Sequence, residues 1–157
     1  MKKYIGTKFI EAKPGTMAEA QALKGGMPIE QAKAMFRNSG TVDKDGYVVQ
    51  YEDGYVSWSP KEAFENAYRQ CDNMTFGLAL EALKKGYKVA RKGWNGKEQY
   101  IGLASNISFK IPSGVVVNCN HDAIGNKAIA FFGTSGVQMG WLASQADMLA
   151  EDWVIVE

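Results

Sequence analysis

Histidine and cysteine are nearly missing from this chain. His121 is the one imidazole in 157 residues, and Cys71 and Cys119 are the two thiols. Two thiols without close spacing and a lone histidine cannot complete a four-ligand zinc site unless carboxylates join them. Nor do they form a disulfide framework, so two reduced, partly buried cysteines are expected and no metal or other cofactor is. The signatures of common catalytic and phosphate-cradling turns are also missing: there is no Gly-x-Ser-x-Gly elbow, no P-loop and no Rossmann glycine fingerprint. No stretch approaches the ~20 apolar residues that span a bilayer. The opening Met-Lys-Lys-Tyr-Ile-Gly, with charge resuming at Lys8 and Glu11, leaves no apolar core for a signal peptide. Charge of one sign is lacking too: 18 basic against 17 acidic residues give a net +1, so no global field draws the molecule to DNA, RNA or an anionic membrane. A cytoplasmic protein without a membrane or nucleic-acid partner is expected.

What remains is ordinary for a globular chain, 46% hydrophobic and 22% charged. The pattern changes near Cys71-Asp72-Asn73-Met74, which suggests two small domains, 1–72 and 73–157, of α+β class with small antiparallel sheets and short helices. In the first, Lys3–Ile10 alternates as a strand would. Thr16-Met17-Ala18-Glu19 fits a capping box for a helix that stops at Gly25-Gly26. Pro28 at a first helical position, with Ile29, Ala32 and Phe36 on one face, predicts a second helix ending before Gly40. Asp53-Gly54, between Gly46–Tyr51 and Tyr55–Trp58, is a hairpin signal. Ser59-Pro60-Lys61-Glu62 reads as another capping box, with proline at N1 and a core-facing stripe at Phe64, Ala67, Tyr68 and Cys71.

The second half opens with a helix whose Phe76, Leu80 and Leu83 share a face and which ends at Gly86. Strands are predicted at 87–91 and 98–103, then a loop-rich stretch over 104–127 with a short strand at Val115–Val117. A hairpin follows around Gly133-Thr134-Ser135-Gly136, then one Ser144-capped helical turn, and a last strand at Trp153–Val156.

Two segments combine flat aromatic faces with cationic and hydrogen-bonding side chains. One is Val89-Ala90-Arg91-Lys92-Gly93-Trp94-Asn95-Gly96-Lys97. The other runs from Met139-Gly140-Trp141 through Ser144-Gln145-Ala146-Asp147 to Asp152-Trp153. A tryptophan face stacks on a base, an arginine can grip phosphate, glycines admit close approach, and glutamine or aspartate reads hydroxyls and base edges. Each residue also has a structural reading: Trp94 as a turn-corner packer, Trp153 as core, Asp147 as a helix cap. His121-Asp122 offers an acid–base pair in a polar loop, or a solvated surface histidine.

Residues 74–157 resemble a phage family, the second Thoeris anti-defence family. The resemblance is carried by Met74-Thr75-Phe76-Gly77, by Ala79–Gly86, by Val89–Gly96 and by Trp141–Trp153. It implies a binding protein and not an enzyme: a sponge that sequesters the cyclised ADP-ribose signal made by TIR-domain immune enzymes, with cyclic dinucleotides at a separate site in some relatives. It implies a homotetramer with the ligand pocket between protomers, inside the infected host cell. By position, Trp94 matches the stacking tryptophan, Gln145 and Asp147 match polar contacts of the last motif, and Arg91, Asn95 and Trp141 complete the expected ligand-binding set. Arg91 is expected to face phosphate. Residues 1–72 resemble a separate phage module without an assigned activity, through Tyr4–Lys8 and Gly46–Lys61; residues 17–40 depart from its aromatic- and proline-rich pattern. Two other readings stand beside the sponge: a phosphodiesterase using His121 and Asp122, and a structural or protein-interaction module whose aromatics serve assembly.

Overall fold

The structure, a computed structural model, describes residues 1–3, 5–37, 44–94, 98–105, 107–118 and 127–156. Its class is α+β. The chain divides into two compact units, Met1–Arg69 and Gln70–Glu157. Residues 70–72 belong with the second of them, and the Cys71 carbonyl accepts a hydrogen bond from the Ile155 amide at 3.0 Å.

In the first unit, β1 (Ile10–Pro14), β2 (Gly46–Tyr51) and β3 (Val56–Pro60) form an antiparallel sheet in that order. Helix α1 (Met17–Gly25) packs Ala20 against Val48 and Val56, with Trp58 alongside. The Thr16 hydroxyl accepts from the Glu19 amide at 3.3 Å and Glu19 Oε2 accepts from the Thr16 amide at 2.6 Å, the reciprocal cap the sequence predicts. Gly26 ends the helix in the left-handed region. Helix α2 (Ile29–Met35) buries Ala32 and half-buries Ile29, and Phe36 just past its end is half-buried too. Pro28 sits at its N-cap rather than inside its first turn. The Trp58 indole donates to the Gly15 carbonyl at 3.0 Å. A side chain at Gly46 would run into that indole and the Ser59 carbonyl, so glycine is needed there for close approach.

Three further expectations are corrected. The first strand starts at Ile10, not Lys3: its pairing with β2 runs from Ile10↔Tyr51 to Pro14↔Tyr47, and Tyr51 is the last residue of β2. Ser59 does not cap the next helix: it is part of β3, Pro60 is the N-cap of α3 (Lys61–Ala67), and no side chain closes that end. Helix α3 also stops short of the predicted stripe. Tyr68 leaves it in extended backbone and stacks on Phe64 at 4.8 Å, while Phe64 stacks on Tyr47 at 4.1 Å. Ring stacking thus replaces burial of Ala67 and Cys71, and both of these are exposed. Cys119 lies outside the described residues.

In the second unit, β4 (Lys88–Arg91), β5 (Tyr100–Ser105), β8 (Lys127–Gly133), β9 (Gly136–Met139) and β10 (Trp153–Val156) form an antiparallel sheet in the order β10-β4-β5-β8-β9. A separate hairpin, β6 (Ser108–Lys110) with β7 (Val116–Asn118), occupies part of the stretch read as loop. Helix α4 (Phe76–Lys84) starts at Thr75, whose hydroxyl accepts from the Leu78 amide at 3.4 Å, and is followed by Gly86 at φ 93°. It buries Ala79, Ala82 and Leu83 and packs on β4, β5 and β10. Phe76 and Leu80 are only half-buried. Two alanines on the inner face let the helix lie close to the sheet, over a core of Met74, Val89, Ile101, Ala130 and Trp153. One short helix, α5 (Gln145–Met148), leads into β10.

Candidate ligand-binding site

The pairing of the last strand with β4 builds this site. Antiparallel register sets Trp153 opposite Arg91, so the turn after Arg91 lies beside the residue before Trp153, Asp152. Asp152 holds that turn through three acceptors: its carbonyl takes the Lys92 amide at 3.1 Å, Oδ2 takes the Gly93 amide at 3.1 Å, and Oδ1 takes Arg91 Nε at 2.8 Å. The Trp94 amide closes the turn on the Arg91 carbonyl at 3.2 Å.

Helix α5 supplies the facing side. Ser144 and Asp147 make a reciprocal cap in which Asp147 Oδ2 accepts from the Ser144 hydroxyl at 2.6 Å and the Ser144 amide at 3.0 Å. Asp147 Oδ1 accepts from Arg91 Nη1 at 3.0 Å and, more weakly, from the Trp94 indole N–H at 3.4 Å. Four donors therefore occupy a carboxylate with about four lone-pair sites. Arg91 makes four hydrogen bonds, to Asp152 Oδ1 and Oδ2, Asp147 Oδ1 and the Ala146 carbonyl. One cation between two carboxylates leaves the triad at a net charge of −1. The side chains of Arg91, Asp147 and Asp152 are 20%, 14% and 32% exposed, so water screens these pairs only in part.

Around this triad stands an aromatic cluster. Trp94 meets Phe131 at 5.4 Å, Trp153 at 5.4 Å and Trp141 at 6.0 Å, each edge to face. Trp141 also meets Trp153 at 6.2 Å and Phe76 at 6.5 Å. Such tilted contacts suit the ring quadrupoles. Trp153 is fully buried and its indole donates to the Asp147 carbonyl at 3.0 Å. Trp94 and Trp141 are half-buried.

The structure brings Arg91, Trp94, Trp141 and Asp147 together and sets Gln145 exposed in the first turn of α5. Asn95 lies outside the described residues, as do His121 and Asp122. The guanidinium expected to face phosphate is turned onto protein carboxylates. The partners that sequence reasoning missed are Asp152, Phe131 and Phe76. Asp152 is 61 residues from Arg91, and only the pairing of two strands at opposite ends of the domain joins them. The signal was present as Arg-Lys-Gly-Trp in one strand's exit and Asp-Trp in another's start. Among the described residues, no group of three His, Cys, Asp or Glu gathers as a metal site, and no helix is long and apolar enough to cross a membrane.

Mutual hydrogen bonding shifts the titration of all three charges. Asp152 beside the Arg91 guanidinium, and also accepting from Gly93, is held below the ordinary carboxylate range. Burial pushes Asp147 up, but the Ser144 hydroxyl, Arg91, the Ser144 amide and Trp94 together hold it down. Asp152 and then Asp147 raise Arg91 further. The stabilisation from the two carboxylates is therefore complete above the ordinary aspartate value of about 3.9 and is lost as pH falls through their lower folded values. An NMR titration of the side-chain carboxyl carbons should give midpoints below about 3.9 for both residues; a midpoint at or above it for either would contradict the geometry described.

The comparisons with known proteins fall on this same unit. The Tad2-like family, described as the Thoeris anti-defense 2-like domain, matches residues 74–156. A curated relative, "Thoeris anti-defense 2" of Bacillus phage SP01, is 42% identical over 86 residues, which cover 53% of this chain and 94% of the relative. The matched segment contains Arg91, Trp94, Trp141, Gln145, Asp147 and Asp152. Through this domain, the chain belongs to the Thoeris anti-defense 2-like family.

Proposed function

We propose that this phage anti-defence protein binds and sequesters a cyclised ADP-ribose signal made by TIR-domain immune enzymes, without cleaving it, in the cytoplasm of the infected cell. The observation that carries the reading is the placement of two half-buried indoles, Trp94 and Trp141, beside the capped start of α5, within the segment that matches the anti-defence family. Trp94 stacks on the adenine, Trp141 borders it, and Gln145 and Asn95 read ribose or base edges. Asp147 joins them at the ligand's polar edge while its Oδ1 keeps the Trp94 indole N–H at 3.4 Å. Cyclic dinucleotides are proposed as a further ligand class at a separate site, and a homotetramer as the assembly whose subunit junctions enclose the ligand on two sides. The second half carries this function; residues 1–72 are an accessory module.

A sponge must hold free signal below the threshold of its effector. A Kd near 1 nM corresponds to about −12.3 kcal/mol. The test is to mix the protein with the cyclised ADP-ribose, remove free ligand and heat the complex. Intact molecule should be released by heat. Linear product would mean turnover, and absence of retained ligand would defeat the proposal. A native mass spectrum of the loaded protein reports subunit number and bound ligand together.

A further inference from the structure

We propose that Arg91 and Asp152 are positioning residues of the ligand site, forming a latch that sets the Trp94 indole rather than touching the ligand's phosphates. The inference rests on the ligand-binding reading of Trp94 given above. Its geometry is a closed ring of bonds. Asp152 fixes the backbone of the turn that carries Trp94, through the amides of Lys92 and Gly93. Asp147 fixes the far end of the side chain, through the indole N–H. Arg91 ties the two carboxylates together, with Nε on Asp152 at 2.8 Å and Nη1 on Asp147 at 3.0 Å, and it also holds the Ala146 carbonyl of α5 at 3.3 Å. The packing is close at Gly93, where a Cβ would meet Asp152 Oδ2 at 3.2 Å. An indole held at both its backbone and its N–H loses little freedom on binding, and that preorganisation favours affinity.

The alternative, a direct Arg91–phosphate fork, predicts the opposite sign for one substitution. A phosphate approaching Arg91 must compete with two carboxylates that already take three of its hydrogen bonds. Asp152→Asn removes a negative charge and loosens the guanidinium. If Arg91 gripped phosphate directly, this variant would bind the anionic ligand more tightly. If the latch positions Trp94, it binds more weakly.

The experiment measures binding of the cyclised ADP-ribose to the full chain and its Asp152→Asn variant. It also records the indole N–H resonance of Trp94 in the ligand-free proteins, identified by its loss in Trp94→Phe. We expect at least a tenfold loss of affinity and a shifted or broadened Trp94 resonance. Arg91→Gln is the second variant, read by the same resonance, should Asp152→Asn fail to fold. Tighter or unchanged binding by folded Asp152→Asn, or an unmoved resonance in the folded variants, overturns the positioning role. A wild-type chain that binds nothing sinks the sponge proposal alone, because the ligand-free resonances still decide whether the latch sets the indole.

Discussion

Trp153→Ala is expected to destabilise the second unit by about 3–5 kcal/mol, the range for truncating a buried aromatic. Trp153 has no exposed surface and touches Phe76 at 5.5 Å, Trp94 at 5.4 Å and Trp141 at 6.2 Å. Its indole satisfies the Asp147 carbonyl, and its backbone exchanges hydrogen bonds with Met74, tying the start of the domain to its last strand. Alanine therefore leaves a cavity, takes the indole's hydrogen bond from the Asp147 carbonyl and leaves three rings without a floor. Domains of ordinary size have only about 5–15 kcal/mol in total, and small ones bury less of their surface, so this single change takes a large share of the stability. Hydrogen exchange of the full chain, read by mass spectrometry, should show faster exchange across residues 70–157. Peptides from residues 1–69 report the first unit and serve as the internal comparison, since its core is built from Ala20, Val48, Val56 and Trp58. Protection that stays unchanged in α4 and β10 would contradict the place given to this residue.

The second large effect is on binding. Trp94→Ala should weaken retention of the cyclised ADP-ribose roughly 5- to 150-fold, from the ~1–3 kcal/mol that a base–aromatic stack contributes. Trp94 is half-buried, so truncation also opens space against Phe131 and Trp153. Trp94→Phe separates the two consequences. It keeps a π-face and most of the packing but loses the N–H that reaches Asp147. Affinity should fall in the order tryptophan, phenylalanine, alanine, with titration calorimetry measuring the loss and a thermal melt confirming that each variant is folded. Equal affinity for all three would remove Trp94 from the ligand site and leave it as a member of the aromatic cluster.

How much of this was legible in the sequence depended on whether the signal was local. The capping boxes at Thr16–Glu19 and Ser144–Asp147 were legible because a reciprocal cap needs only side chains three residues apart. The Asp53-Gly54 hairpin was legible because its turn needs a residue that accepts positive φ, and Gly54 has φ 83°. The Ser59 box failed although its spacing was right. Ser59 is paired with Tyr47 in the sheet, and strand pairing outweighed the local cap. The stripe through Cys71 failed likewise, because Tyr68 stacks on Phe64 instead of continuing the helix. In the first failure a distant partner, Tyr47, decided the outcome; in the second it was a ring four residues away that itself stacks on Tyr47, and propensity is a weak prior against such contacts.

The candidate site divides along the same line. The residue types of the site could be read from the chain, since tryptophan, arginine, glutamine and aspartate in two short segments, with the family pattern around them, name a chemistry without needing coordinates. What each one touches could not. Composition offered Arg91 as a hand for phosphate, whereas the antiparallel pairing of β4 with β10 delivered Asp152 to it, and the cap of α5 delivered Asp147. A guanidinium's role is set by which acceptors lie within about 3 Å, and strands from opposite ends of the domain supply them. The sequence by itself determined the α+β class, the caps of α1 and α5, the Gly54 turn, and which residue types the candidate site offers. Only the tertiary structure decided that two acids enclose the arginine, because hydrogen bonding acts over ångströms and the chain crosses 61 residues to bring them there.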